Sequence, residues 1–164
     1  MPIINQSNFK EAKNFIYSDI EREIQLARTS EDYNNKIALQ KMGINSGGGN
    51  FLAALGLLCY TEFAGKIMNE GKCSSTKHFN DFFDQLGEEY KDFRHKHKIY
   101  DIFRCGLAHE YFVKKSCTIY MLKGAEKNGI WQDDKKHYHF SVETYLNHFR
   151  DAFDRLEKNI FSVN

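Results

Sequence analysis

The sequence predicts a mainly α fold, a helical bundle of four to six helices with a small β-hairpin inserted before the last helix. Three observations predict it. Apolar residues recur at steps of three and four along most of the chain, the period of helices that bury one face. Between about positions 116 and 141 that period gives way to alternation, the period of a strand. Of the 164 residues, 41% are hydrophobic and 15% aromatic, with 14 Phe and 9 Tyr, so large side chains are available to fill one core. The whole chain, 1–164, therefore reads as one domain.

A first helix is capped by Asn8, with Glu11 three residues on, and carries Phe9, Ala12, Ile16, Ile20 and Ile24 at helical spacing. A shorter pattern over 31–42 ends at Gly43. Gly47-Gly48-Gly49 follows without the Gly-Lys-Ser/Thr of a phosphate loop, so it is read as a turn. The third helix, 51–69, is apolar almost all round, as a central helix shielded by neighbours should be. Its greasiest stretch, 51–60, falls short of the roughly 20 residues that span a bilayer, so a buried helix and no membrane partner are expected.

Gly71 stops that helix, and Ser74, Ser75 and Thr76 open a fourth. Phe79, Phe82, Phe83 and Leu86 line its inner face before Gly87 ends it. A helical pattern resumes over 89–111, with Ile99, Ile102, Phe103, Gly106 and Leu107 on one stripe. Cys117, Ile119 and Met121 then alternate with Thr118, Tyr120 and Leu122, and Tyr138, Phe140 and Val142 with His137, His139 and Ser141. Asn128-Gly129 lies between the two and is read as the hairpin turn. Ser141 caps a last helix with Val142, Tyr145, Leu146, Phe149, Phe153, Leu156 and Ile160 along one side. The chain has no internal repeat, and its single proline, Pro2, precedes the first helix.

The four cysteines, Cys59, Cys73, Cys105 and Cys117, stand apart with no C-x-x-C pair, and no basic segment followed by an apolar one opens the chain. They are expected to be reduced thiols in a cytoplasmic protein. A net charge of +1 excludes a global field that would pull the chain onto nucleic acid or an anionic membrane. Binding of that kind must be local. Segment 91–104 has a net charge of +3, and Arg94, Lys96 and Lys98 are its candidate RNA-binding residues. The plainer fate of such a run is a solvated helix face.

Chemistry concentrates in Arg104-Cys105-Gly106-Leu107-Ala108-His109. On an ideal α-helix Arg104 and His109 fall about 140° apart and flank a strip of Asp101, Cys105 and Ala108 that faces away from the core. Small side chains there admit a second copy of the helix or an RNA strand. A neutral imidazole can take the proton of a 2′-hydroxyl, and a guanidinium can neutralise charge growing on a phosphate. A two-fold dimer doubles both groups, so that one imidazole acts as base and the other as acid. The plainer reading pairs Arg104 with Asp101 and leaves His109 at a helix C-terminus, where a cation is favoured.

An Arg, four residues and a His near the end of the penultimate helix of a small bundle resemble the HEPN superfamily, the higher eukaryotes and prokaryotes nucleotide-binding domains. Arg104 and His109 take the two fixed places of its signature. Cys105 stands where its nucleases usually carry Asn, Asp or His. The resemblance implies metal-independent endoribonuclease cleavage at a homodimer interface, with no cofactor. The alternative it implies is a non-catalytic module that holds a nucleotide or a partner protein. His137 and His139 share a strand face but lack an evident third ligand, so no metal site is assigned.

Overall fold

Asn5, and not Asn8, caps the first helix: its side chain accepts from the Asn8 N–H at 2.8 Å, so α1 runs Gln6–Thr29 and takes Asn8 into its first turn. The structure, a computed structural model, describes residues 3–45, 48–110 and 112–161. Pro2, Gly47 and Tyr111 lie outside them. Asp32 caps α2 (Tyr33–Lys41), which buries no residue and stands at the edge of the fold. α3 (Asn50–Met68) is, by length and composition, apolar enough to cross a membrane, yet eight of its residues are buried against the rest of the chain.

Ser74 caps α4 (Ser75–Phe83), which lies against α3 with almost no gap. A Cβ placed on Gly65 of α3 would stand 1.8 Å from the His78 carbonyl oxygen of α4. α4 buries Phe79, Phe82 and Phe83, and a short turn leads from it to Gly87 and to α5 (Glu88–Lys96). The single helix expected over 89–111 is two elements. His97 ends α5 in an extended conformation, and Tyr100–Glu110 winds as a π-helix. Its buried residues, Ile102, Phe103, Gly106 and Leu107, repeat in steps of four. The chain then folds back over it: Lys114 N–H donates to the Ile102 carbonyl at 3.1 Å, supplying an outside donor to a carbonyl that an α-helix would give to its own N–H.

Three strands replace the expected hairpin. β1 (Cys117–Tyr120) pairs parallel with β3 (Tyr138–Ser141), and β2 (Ile130–Gln132) pairs antiparallel with β3, so that β3 is central. The turn between β2 and β3 is built around Asp133, whose carboxylate accepts from the Lys135 and His137 N–H groups. Asn128-Gly129 is not that turn. Gly129 is buried against the last helix, and a Cβ there would stand 2.6 Å from Tyr145 Cα. One face of the sheet, Ile119, Ile130, Tyr138 and Phe140, joins the core.

Ser141 Oγ accepts from Thr144 N–H at 3.4 Å and starts α6 (Val142–Phe161), whose expected apolar stripe is buried from Val142 to Leu156, with Ile160 half-buried. Phenyl rings tie the helices together. Phe153 stacks on Phe9 of α1 at 4.6 Å and on Phe149 at 5.2 Å, and Phe149 meets Phe82 of α4 edge-on at 5.6 Å. Each such ring contributes about 1.5–3 kcal/mol of burial. Inside, Thr61 Oγ gives its proton to the Leu57 carbonyl, so the Tyr145 hydroxyl, 2.8 Å away, donates to Thr61.

A second buried network joins α5, α6 and the sheet. Tyr90 OH accepts from Gly129 N–H at 2.7 Å and donates to His148 Nδ1 at 2.7 Å. Burial holds the His148 imidazole below its ordinary value of 6.5, against the opposing pull of Asp151 and Glu89. The folded pKa is thus lower than the unfolded one, so this contribution to stability is complete above about pH 6.5 and is lost as pH falls below it. Urea midpoints are expected to drop between pH 7.5 and 5.5, and less in His148→Gln, whose amide carbonyl still accepts from Tyr90. An equal drop in both would remove His148 as the cause.

Candidate functional site

The π-helix changes the geometry of the Arg104–His109 pair. With i→i+5 hydrogen bonds the turns are wider, so residues five apart lie closer in angle than the roughly 140° of an α-helix. His109 is exposed near the end of this helix and has no side-chain partner among the described residues. Arg104 is held from within. Its Nε lies 2.8 Å from Glu62 Oε2 of α3, at an angle too poor for a hydrogen bond, and the guanidinium sits over the Tyr100 ring at 5.9 Å. The Arg104–Asp101 pair of the plainer reading does not form: Arg104 turns to Glu62, and Asp101 takes Lys114 at 3.1 Å.

Burial works against the Arg104 charge, but Cys59, Glu62 and Tyr100 outweigh it and hold the guanidinium above its usual range. The Arg104 side chain keeps 21% of its surface accessible and borders a cavity of about 460 Å³ that also touches Cys59, Glu62, Lys66, Cys73 and His78. His109 does not line it. An oriented guanidinium beside a cavity can bind an anionic oxygen, and an exposed imidazole can exchange a proton; the two meet one ligand only if it bridges from the cavity to the helix end.

The other expected site residues divide. Arg94, Lys98, Asp101 and Cys105 line a second cavity of about 440 Å³, beside Tyr100. Arg94 is committed there to the fold: Asp84 accepts two hydrogen bonds from it, at 2.6 and 2.7 Å, a bidentate pair that leaves little of the guanidinium for a ligand. Lys96 and Lys98 are exposed and have no ion pair among the described residues. Of the small-residue strip, Asp101 and Ala108 are exposed and Cys105 is half-buried. Gly106 is covered, since a Cβ there would meet the Phe112 carbonyl oxygen at 2.6 Å.

Glu62 and Tyr100, the groups that fix Arg104, were not expected. A signal for Glu62 was present, since it is a carboxylate in the most apolar helix of the chain. Sequence put His137 and His139 on one strand face, and the structure adds Tyr120 and Trp131 beside His139 on the outward side of the sheet. There Asp133 Oδ2 lies 3.1 Å from His139 Nε2, and Tyr120 OH lies 3.2 Å from His139 Nδ1. The His139 hydrogen bond, with the His137 and Lys135 N–H groups, holds the Asp133 carboxyl below its usual range. No cluster of three His, Cys, Asp or Glu suited to a metal occurs among the described residues. No family model, no curated protein and no solved structure matches the chain.

Proposed function

We propose that this chain is a HEPN-like RNA-processing domain, a cytoplasmic homodimer that cleaves RNA without a metal, with His109 as general acid or base and Arg104 as the phosphate-binding group. The observation that carries the reading is the π-helix. Wide helical turns of this kind are rare and are frequent at functional sites, and residues five apart lie closer in angle on one than on an α-helix, which supports a joint role for the two residues of the signature. The ion pair with Glu62 and the ring of Tyr100 support the role of Arg104, since a guanidinium held in place loses little freedom on meeting a phosphate.

In this mechanism one imidazole removes the 2′-hydroxyl proton while the oxygen attacks the adjacent phosphorus. The imidazole of the second subunit, carrying a proton, delivers it to the departing 5′-oxygen. One fragment keeps a 2′,3′-cyclic phosphate and the other gains a 5′-hydroxyl. Arg104 offsets the charge that grows on the phosphate oxygens.

Single-stranded RNA incubated with the protein in EDTA should yield fragments with cyclic phosphate ends. His109→Ala should slow that cut by about 10²–10⁴-fold. The side chain is exposed, so the variant should unfold within about 0.5 kcal/mol of the parent. Cutting retained in His109→Ala removes this residue from the mechanism, and a monomer in light scattering removes the composite site.

The second reading is a non-catalytic HEPN-like module that binds a nucleotide or a partner protein. It is favoured by the cavity beside Arg104, which His109 does not share. Under it, RNA binds and stays intact.

A further inference from the structure

We propose that the outward face of the sheet is a stacking platform for single-stranded RNA, with the exposed Tyr120 ring, supported by His139 and Trp131, as the surface on which an unpaired base lies. This site is separate from Arg104 and His109 and stands whether or not the chain cuts RNA.

The strand register builds it. Thr118, His139 and Trp131 face one another across β1, β3 and β2, and Tyr120 lies two residues along β1 on the same face. The opposite face is already spent on the core, through Ile119, Ile130, Tyr138 and Phe140. On the outer face the ring planes are almost parallel. Trp131 and His139 are 4.9 Å apart at 9°, Tyr120 and His139 5.9 Å apart at 13°, and Tyr120 and Trp131 6.1 Å apart at 8°. Parallel at these separations, the rings overlap one another, and the His139 side chain keeps only 14% of its surface, so Tyr120 is the ring most open to a base.

The platform is also held in advance. Asp133 and Tyr120 OH fix the His139 ring from its two nitrogens, and His137 beside it is clamped by Ser116 Oγ at 2.5 Å and Thr118 Oγ1 at 2.8 Å. With all four imidazole nitrogens engaged, both rings are held in place. Rings fixed before binding give up little freedom when a base arrives.

Charge names the occupant. Six lysines and three carboxylates lie between positions 112 and 141, in a chain whose net charge is +1. Lys115, Lys135 and Lys136 are exposed in the segments that flank the rings. An aromatic face rimmed by cations matches a polyanion that carries flat apolar groups. With Tyr120 exposed at its edge, the face suits a strand laid across it more than a mononucleotide, which needs enclosure.

Trp131 is the only tryptophan in the chain, so its fluorescence reports on the platform directly. Titrating the full chain with a single-stranded RNA oligonucleotide is expected to quench it saturably. In anisotropy with labelled RNA, Tyr120→Leu should weaken binding about tenfold, as loss of one stacking surface does. Tyr120 is 42% exposed, so the variant should fold; Trp131→Leu is a second probe, with circular dichroism to check its fold. Duplex RNA of the same sequence should bind more weakly, because paired bases cannot stack on the rings. The proposal is overturned if RNA leaves the fluorescence unchanged, if Tyr120→Leu binds like the parent, or if duplex binds equally, which would leave only attraction to lysines. Quenching by adenosine monophosphate at concentrations where the strand has no effect would also overturn it, in favour of a nucleotide site.

Discussion

Gly65→Ala is expected to cost at least about 3 kcal/mol, the upper part of the range for overfilled cores. The added Cβ would stand 1.8 Å from the His78 carbonyl oxygen and 2.5 Å from its carbon, both backbone atoms of α4 that no rotamer change can move. Relief requires α4 to slide away from α3, and α4 carries Phe79, Phe82 and Phe83, all without solvent exposure. The disturbance therefore spreads to the rings that bind α4 to α6. For a domain of this size the loss corresponds to a fall in Tm of about 6–12 °C. Thermal unfolding followed by circular dichroism checks it. A Tm within two degrees or so of the parent would show that the two helices do not meet at Gly65.

Gly129→Ala should be the next most damaging single change, at about 2–3 kcal/mol. Its Cβ would lie 2.6 Å from Tyr145 Cα and Cβ and 2.7 Å from Tyr145 N, at the first turns of α6. The same residue donates its N–H to Tyr90 OH, so a shift that relieves the clash also strains the hydrogen bond that leads on to His148. Loss of stability should come with a change in pH dependence: the slope between pH 7.5 and 5.5 should shrink as the clash opens His148 to water, because burial is what holds its imidazole down. Urea unfolding at the two pH values separates this from a purely steric effect, which would lower both midpoints equally.

The long helices were legible because each buries one face, and a period near 3.6 is visible wherever that happens. α1, α4 and α6 carry their core residues where the spacing put them. What failed to show was whatever depends on contacts distant in sequence. Ile102, Phe103, Gly106 and Leu107 fit an α stripe as well as a π one, and what separates the two is a hydrogen-bond pattern that periodicity does not encode. Alternation revealed strands but not their neighbours. The Asn128-Gly129 pair has the chemistry of a tight turn, yet its glycine is needed for close approach to α6, and Asp133 organises the real turn.

The site was legible to the same degree. Arg104 and His109 were found by their types and spacing, while Glu62, some 40 residues earlier, was not connected to them until α3 and the π-helix lay side by side. The platform was hidden for a similar reason. Tyr120, Trp131 and His139 come from three strands, and only the order β1-β3-β2 makes neighbours of them.

That strand order also sets the sequence of events during synthesis. β1 is made before β3, the strand it pairs with, and β2, which lies between them in sequence, pairs with β3 as well. Until β3 arrives and α6 closes over it, the emerging chain carries an unzipped edge and an uncovered greasy sheet face. The sheet and α6 are therefore expected to close on the core together, since neither β1 nor β2 has its strand partner until β3 is in place.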